Sequence, residues 1–170
     1  MVKNYSPQAQ ELIRSSIDHL QNAIEENRTL SHRLVTPDLE LDTLAKQLSD
    51  LAYDMLERSG IKTRVDTSSL EESLLTDQQK IAIYRIAQEQ CTNIFKYAKA
   101  GAATISLHTK GGLFKMLISD NGQGMKEGTK TVGIGIRNIN ARISIFHGKA
   151  TIKTAPGKGF ILELEMPVKK

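Results

Sequence analysis

Tryptophan is absent from the 170 residues, phenylalanine and tyrosine number four each, and there is a single cysteine, Cys91. The core of such a chain must be mainly aliphatic, and one thiol excludes both an internal disulfide and a cysteine-rich metal site. Cys91 falls inside an apolar helical pattern, which predicts a buried thiol in a reducing compartment. No stretch approaches the eighteen or so apolar residues of a membrane span, and the first ten residues lack the apolar core of a secretory signal. The expected location is therefore cytoplasmic, with no membrane contact by this chain. A net charge of +4 would favour polyanions, but no basic run is interleaved with stacking aromatics, so nucleic acid is not an expected partner. Repeats and low-complexity tracts are also missing, and 39% hydrophobic with 25% charged residues excludes disorder as a class.

What is present begins with two helical stripes. Ile13, Ile17, Leu20 and Ile24 recur at helical spacing between Ser6-Pro7, a cap followed by proline at the first helical position, and Thr36-Pro37, which stops the helix. Leu41, Leu44, Leu48, Leu51 and Met55 form a second stripe, with Asp38 as the expected cap and Ser59-Gly60 as the stop. Residues 61–67 alternate as a short strand does. A polar connection ending at Thr76 then leads into a long helix expected over 77–99 and closed by Ala100-Gly101. Gly111-Gly112 joins strands at 103–109 and 113–119, a strong hairpin signal. A helix at about 136–146 and a second hairpin, turned by Pro156-Gly157 between 150–154 and 159–166, complete the chain. Antiparallel hairpins interrupted by helices imply an α+β fold, with helices on one face of a mixed sheet.

Four motifs carry chemistry. Glu89, Asn93 and Lys96 share one face of the long helix, where a carboxylate, a neutral oxygen and a cation could meet a magnesium-bound phosphate chain. Asp120-Asn121-Gly122-Gln123-Gly124 follows an apolar strand; its carboxylate can accept from an exocyclic amine, and its glycines let a ligand approach the backbone. Gly133-Ile134-Gly135 opens the last helix, where exposed amides suit phosphate. Gly157-Lys158-Gly159 lies in the final hairpin, where a plain turn is the default meaning. Neither a dinucleotide fingerprint nor a P-loop is present.

The order of these motifs resembles the ATP site shared by gyrase, heat-shock chaperones, histidine kinases and mismatch-repair proteins, the GHKL or Bergerat superfamily. Within it, the run from Tyr84 to Ala98, the segment from Gly133 to Arg142, and His147-Gly148 are most similar to sensor kinases of the nitrate and desiccation type. The resemblance implies ATP and magnesium as ligands, Asn93 as the magnesium ligand, Asp120 as the adenine reader and Lys96 at phosphate. It makes Gly122, Gly124, Gly133, Gly135, Gly157 and Gly159 nucleotide-binding positions and Glu89 a candidate catalytic carboxylate. About eight residues separate Gly124 from Gly133, which fits a short lid over the nucleotide. Tyr97 and Phe160 depart from the subgroup's usual His and Thr.

The resemblance divides the chain into 1–36, the second helix of a dimerisation region, and 37–170, the ATPase domain. The phosphoacceptor histidine is expected on a preceding helix missing from this chain, because Asp18-His19 reverses the expected order and His32 stands at a helix end. The implied activity is transfer of the γ-phosphoryl group of ATP to that histidine, with a response regulator downstream and a homodimer possible. The isolated fragment is expected not to autophosphorylate, and a membrane-attached parent would fit. The alternatives are a non-catalytic ATP-binding or docking module and a serine kinase of the anti-sigma type.

Overall fold

The computed structural model describes residues 6–34, 42–125 and 134–169, and the chain divides into two units, Met1–Thr36 and Pro37–Lys170. The described residues of the first unit form one helix, α1 (Pro7–Leu34), begun by Ser6, whose Oγ accepts the Ala9 N–H at 3.3 Å. Its apolar residues Leu12, Ile13, Ile17, Leu20 and Ile24 are exposed. Among the described residues no helix is long and apolar enough to cross a membrane.

In the second unit α2 (Leu44–Met55) begins under Thr43, whose hydroxyl accepts the Lys46 N–H. The expected cap, Asp38, and the expected first stripe residue, Leu41, lie outside the described residues. A second, remote cap reinforces Thr43: the Glu72 carboxylate accepts the Leu44 and Ala45 N–H groups at 2.9 and 2.8 Å, satisfying two amides that a helix start leaves without partners. A 3-10 turn (Glu57–Ser59) follows α2, and Gly60 stops it in the left-handed region at φ 85°.

Strands β1 (Lys62–Ser69), β2 (Ala102–Lys110), β3 (Leu113–Asp120), β4 (Lys149–Thr154) and β5 (Phe160–Pro167) form one sheet among the described residues, in the order β1-β2-β3-β5-β4. β1 and β2 run parallel and the other neighbours antiparallel, so the sheet is mixed as expected. Alternation along each strand sends Ala103, Ile105, Leu107, Phe114, Met116, Ile118, Leu162, Leu164 and Met166 into the core. The opposite face is mainly polar, with Leu113, Leu117 and Ile161 half-buried on it, and carries the exposed cross-strand pairs Lys115–Glu165 and Lys153–Glu163, both 2.8 Å. Pairs so exposed contribute about 0–1 kcal/mol each, so the buried face is what holds the sheet to its helices.

Beside α2, which itself reaches β1, lies α3 (Asp77–Asn93), opened by a capping box in which Thr76 and Gln79 exchange side-chain and backbone hydrogen bonds at 3.2 and 2.9 Å. Ile83, Ile86, Ala87 and Cys91 face the core, and Cys91 is fully buried as expected. Burial alone pushes its thiol from the usual 9.0 up to about 12. The helix does not run regularly to residue 99. It widens into a π-helical turn (Ile94–Ala98) and ends at Lys99, which takes the left-handed conformation at φ 51° in place of the expected Ala100-Gly101 stop. The last helix, α4 (Ile134–Ser144), packs Ile139 and Ile143 on the core and is closed by His147 at φ 56°.

Candidate functional site

The end of α3, the strand end of β3 and the start of α4 enclose a cavity of about 290 Å³. Gln90, Asn93, Ile94, Tyr97 and Ala98 form one wall, Asp120, Gly124 and Met125 a second, and Gly135, Ile136 and Phe160 the remainder. The first wall follows from helix geometry, since positions 90, 93, 94 and 97 lie on one side of a helix. The π turn carries Tyr97 and Ala98 to the cavity rim, and Tyr97 is 65% exposed there. Such insertions recur at functional sites because they re-aim side chains without ending the helix.

Asp120 is the last residue of β3, paired across the sheet with Ala103 on one side and Phe160 on the other. Being buried, its carboxyl titrates above the usual carboxylate range, since desolvation penalises the charge; the Gly122 N–H, donated to Oδ1 at 2.8 Å, partly offsets this. An acceptor so placed prefers a ligand donor such as an exocyclic amine.

The loop after Asp120 is clamped from both sides. Toward α3, Gln123 donates its backbone N–H to Ala98 O and its Nε2–H to Tyr97 O, both at 2.8 Å. Toward the β4–β5 turn, Gly159 N–H donates to Gly122 O at 3.0 Å, Gly157 N–H to Gln123 O at 2.7 Å, and Met125 N–H to Thr154 Oγ1 at 2.9 Å. Glycine is required by contact: a Cβ at Gly122 would strike the Ala98 carbonyl, and one at Gly159 the Asp120 carbonyl.

The sequence-predicted residues thus separate into groups. Asn93, Asp120, Gly124 and Gly135 meet at the cavity. Gly122, Gly157 and Gly159 brace the loop that forms its wall, and are not among the lining residues. Glu89 is half-buried, its carboxylate set against the position a Gly135 Cβ would take. Lys96 is exposed on the π turn and does not line the cavity. Gly133 lies outside the described residues. Gln90 was missed by motif reasoning, although the helical spacing that selects Asn93 and Tyr97 places it beside them.

The sequence pattern of the histidine kinase-, DNA gyrase B-, and HSP90-like ATPase family matches residues 78–170. The chain is similar to the sensor histidine kinase MctS of Rhizobium johnstonii, 34% identical over 159 residues, which are 91% of this chain and 34% of that protein. It is similar also to the signal transduction histidine-protein kinase/phosphatase UhpB of Salmonella typhimurium, 31% identical over 131 residues, 76% of this chain and 26% of the relative. The chain therefore spans about a third or less of the length of these two proteins. Its fold resembles that of the blue-light activated histidine kinase of Erythrobacter litoralis EL346, with a TM-score of 0.68 at 16% identity over 98% of this chain and 64% of that one. It also resembles full-length ShkA in complex with AMPPNP, with a TM-score of 0.62 at 18% identity over 99% of this chain and 40% of that one.

Proposed function

This chain belongs to the histidine kinase-, DNA gyrase B-, and HSP90-like ATPase family and is an ATP-binding catalytic domain of the sensor histidine kinase type, and on that premise we propose that its cavity holds ATP with the base against Asp120 and the phosphates toward Asn93. The observation that carries this reading is the convergence of Asn93, Asp120, Gly124 and Gly135, from three separate elements, on one cavity. Asp120 accepts the exocyclic amine of the base. Ile94, Met125, Ile136 and Phe160 supply apolar surface for its ring.

Magnesium fits the donor at this wall. Asn93 is half-buried at the cavity and offers a neutral amide oxygen, the kind of single ligand that suits a cation keeping water and phosphate oxygens as the rest of its shell. When bound, the ion neutralises charge on the phosphates. Glu89, one helical turn before Asn93, is the candidate proton acceptor. Lys96, three residues after Asn93 and exposed on the π turn, is the candidate cation for the phosphates.

The γ-phosphoryl group goes to a histidine on a separate helix, in line, with the bond to the bridging oxygen breaking as ADP leaves. A response regulator is the downstream acceptor. The exposed stripe of α1, Leu12, Ile13, Ile17, Leu20 and Ile24, suits one helix of a dimerisation region whose partners cover it.

Calorimetry with magnesium and a slowly hydrolysed ATP analogue tests the cavity, and absence of heat at millimolar nucleotide refutes it. Labelled ATP, given with a helical hairpin carrying a His-acid dyad, tests the transfer. Acid-labile, base-stable label on the hairpin is expected; acid-stable label on serine would overturn the histidine assignment.

A further inference from the structure

Gln90 is the one cavity residue whose presence the fold does not explain. It sits in α3 next to Cys91, is only 2% exposed, and its side-chain Oε1 is sealed from solvent with no hydrogen-bond partner among the described residues. A buried amide oxygen without a donor carries a desolvation cost that an unbranched apolar side chain of the same length would avoid. The same side chain lines the cavity beside Asp120, Asn93 and Ile94. The unsatisfied oxygen lies beneath the cavity surface, and turning the amide about its last torsion brings it within reach of a ligand donor.

The geometry points to Gln90 as a second hydrogen-bonding group for the purine base, acting beside Asp120; this rests on the ATP reading of the cavity. The chemistry divides between the two residues. An ionised Asp120 only accepts, and its Oδ1 is already engaged by the Gly122 N–H at 2.8 Å, so it can take one amine hydrogen but gives nothing to a ring nitrogen. A carboxamide presents an acceptor and a donor side by side. Adenine presents the matching pair, an amine hydrogen beside a ring nitrogen, which is why Asn and Gln are the side chains that read adenine bidentately elsewhere. Rotation about the last side-chain torsion of Gln90 brings either end of the amide to the cavity. Its oxygen then accepts the second amine hydrogen and its N–H reaches the adjoining ring nitrogen. A base with a carbonyl in place of the amine offers Asp120 no amine hydrogen, whereas the Gln90 N–H turns to that carbonyl, so Gln90 adds affinity and Asp120 carries the discrimination.

The test uses the full chain, with ATP, 1-deaza-ATP and 7-deaza-ATP as calorimetric ligands and Gln90→Met as the variant. Methionine keeps the length and removes both hydrogen-bonding atoms. The expected loss of ATP affinity is about ten- to hundred-fold, the worth of two neutral hydrogen bonds. One of the two deaza analogues should lose about five- to ten-fold against the parent chain, the worth of the one ring-nitrogen bond, and nothing further against the variant. Unliganded Gln90→Met should melt no lower than the parent, because the orphaned oxygen is gone. A variant that melts lower yet binds ATP as tightly as the parent assigns Gln90 to the fold and overturns the proposal. Should the variant not fold, the analogues still decide: a parent chain that binds both as tightly as ATP uses no ring nitrogen, and the proposal fails. No binding of ATP by the parent chain would instead overturn the ATP reading itself.

Discussion

Replacing Asp120 by Asn changes one atom at the cavity and separates two effects of opposite sign. The side chain keeps an oxygen to accept the Gly122 N–H, now 2.8 Å from Oδ1, so the loop after β3 keeps its anchor. The other carboxylate oxygen becomes an amino group, which meets the amine of adenine donor to donor. Loss of a hydrogen bond to a charged acceptor is worth about 1.5–3 kcal/mol, which is roughly 10- to 150-fold in the dissociation constant for ATP at 1.4 kcal/mol per decade. Guanine offers a carbonyl where adenine has its amine, so Asp120→Asn should lose little or no affinity for GTP, and the preference for ATP should shrink by that factor. Stability should move the other way. Burial raises the Asp120 pKa above its unfolded value, so the stability linked to its proton is present in full below the unfolded pKa and lost as pH rises through the folded pKa. At neutral pH the parent carries the penalty of a buried charge and the variant does not. Unliganded Asp120→Asn should therefore melt at or above the parent temperature at pH 7, with the difference vanishing in acid. Titration calorimetry with slowly hydrolysed ATP and GTP analogues, beside scanning calorimetry across pH, reads both effects. An unchanged ratio of ATP to GTP affinity would refute the assignment of Asp120 as base reader.

Asn93→Ala should weaken nucleotide binding more in magnesium than in chelator, and equal losses in both would remove Asn93 from the metal's shell. Gly159→Ala should destabilise by more than the roughly 1–2 kcal/mol of forcing a side chain into the left-handed region, because its Cβ also strikes the Asp120 carbonyl. Gly157→Ala, at φ 70° with nothing within 4 Å, should incur the conformational term alone; urea melts of the two should differ in that order. Glu72→Ala removes the remote cap of α2 and should cost about 1–2 kcal/mol in a urea melt while leaving ATP affinity unchanged. Cys91, with its thiol held at about 12, should resist a thiol-specific reagent at pH 8 in the folded chain and react fully in denaturant; fast modification of folded protein would mean that the α3 core opens readily.

Much of this was determined locally and could be read from the chain. The stripes of α1 and α2, the Gly111-Gly112 hairpin, the Thr76 cap and the buried Cys91 each depend on neighbours within a few residues, and hydrophobic period and turn chemistry report those directly. The strand-end position of Asp120 followed from an apolar run meeting Asn-Gly, and the four-three spacing of Glu89, Asn93 and Lys96 from helix geometry. Tertiary structure decided what depends on residues far apart in sequence. Glu72 caps a helix that starts 28 residues earlier, a bond no local pattern announces. Gly157 and Gly159 turn out to hold the Asp120 loop from behind, because β5 lies antiparallel to β3 and sets Phe160 opposite Asp120. The π turn that brings Tyr97 and Ala98 to the rim and leaves Lys96 outside the cavity is a packing outcome at the end of a regular helical sequence. Gln90 looks like an ordinary helix former until the fold sets it, buried and unpartnered, at the cavity wall. Local spacing fixes which side of an element a residue occupies, whereas what that side meets is fixed only when the elements pack.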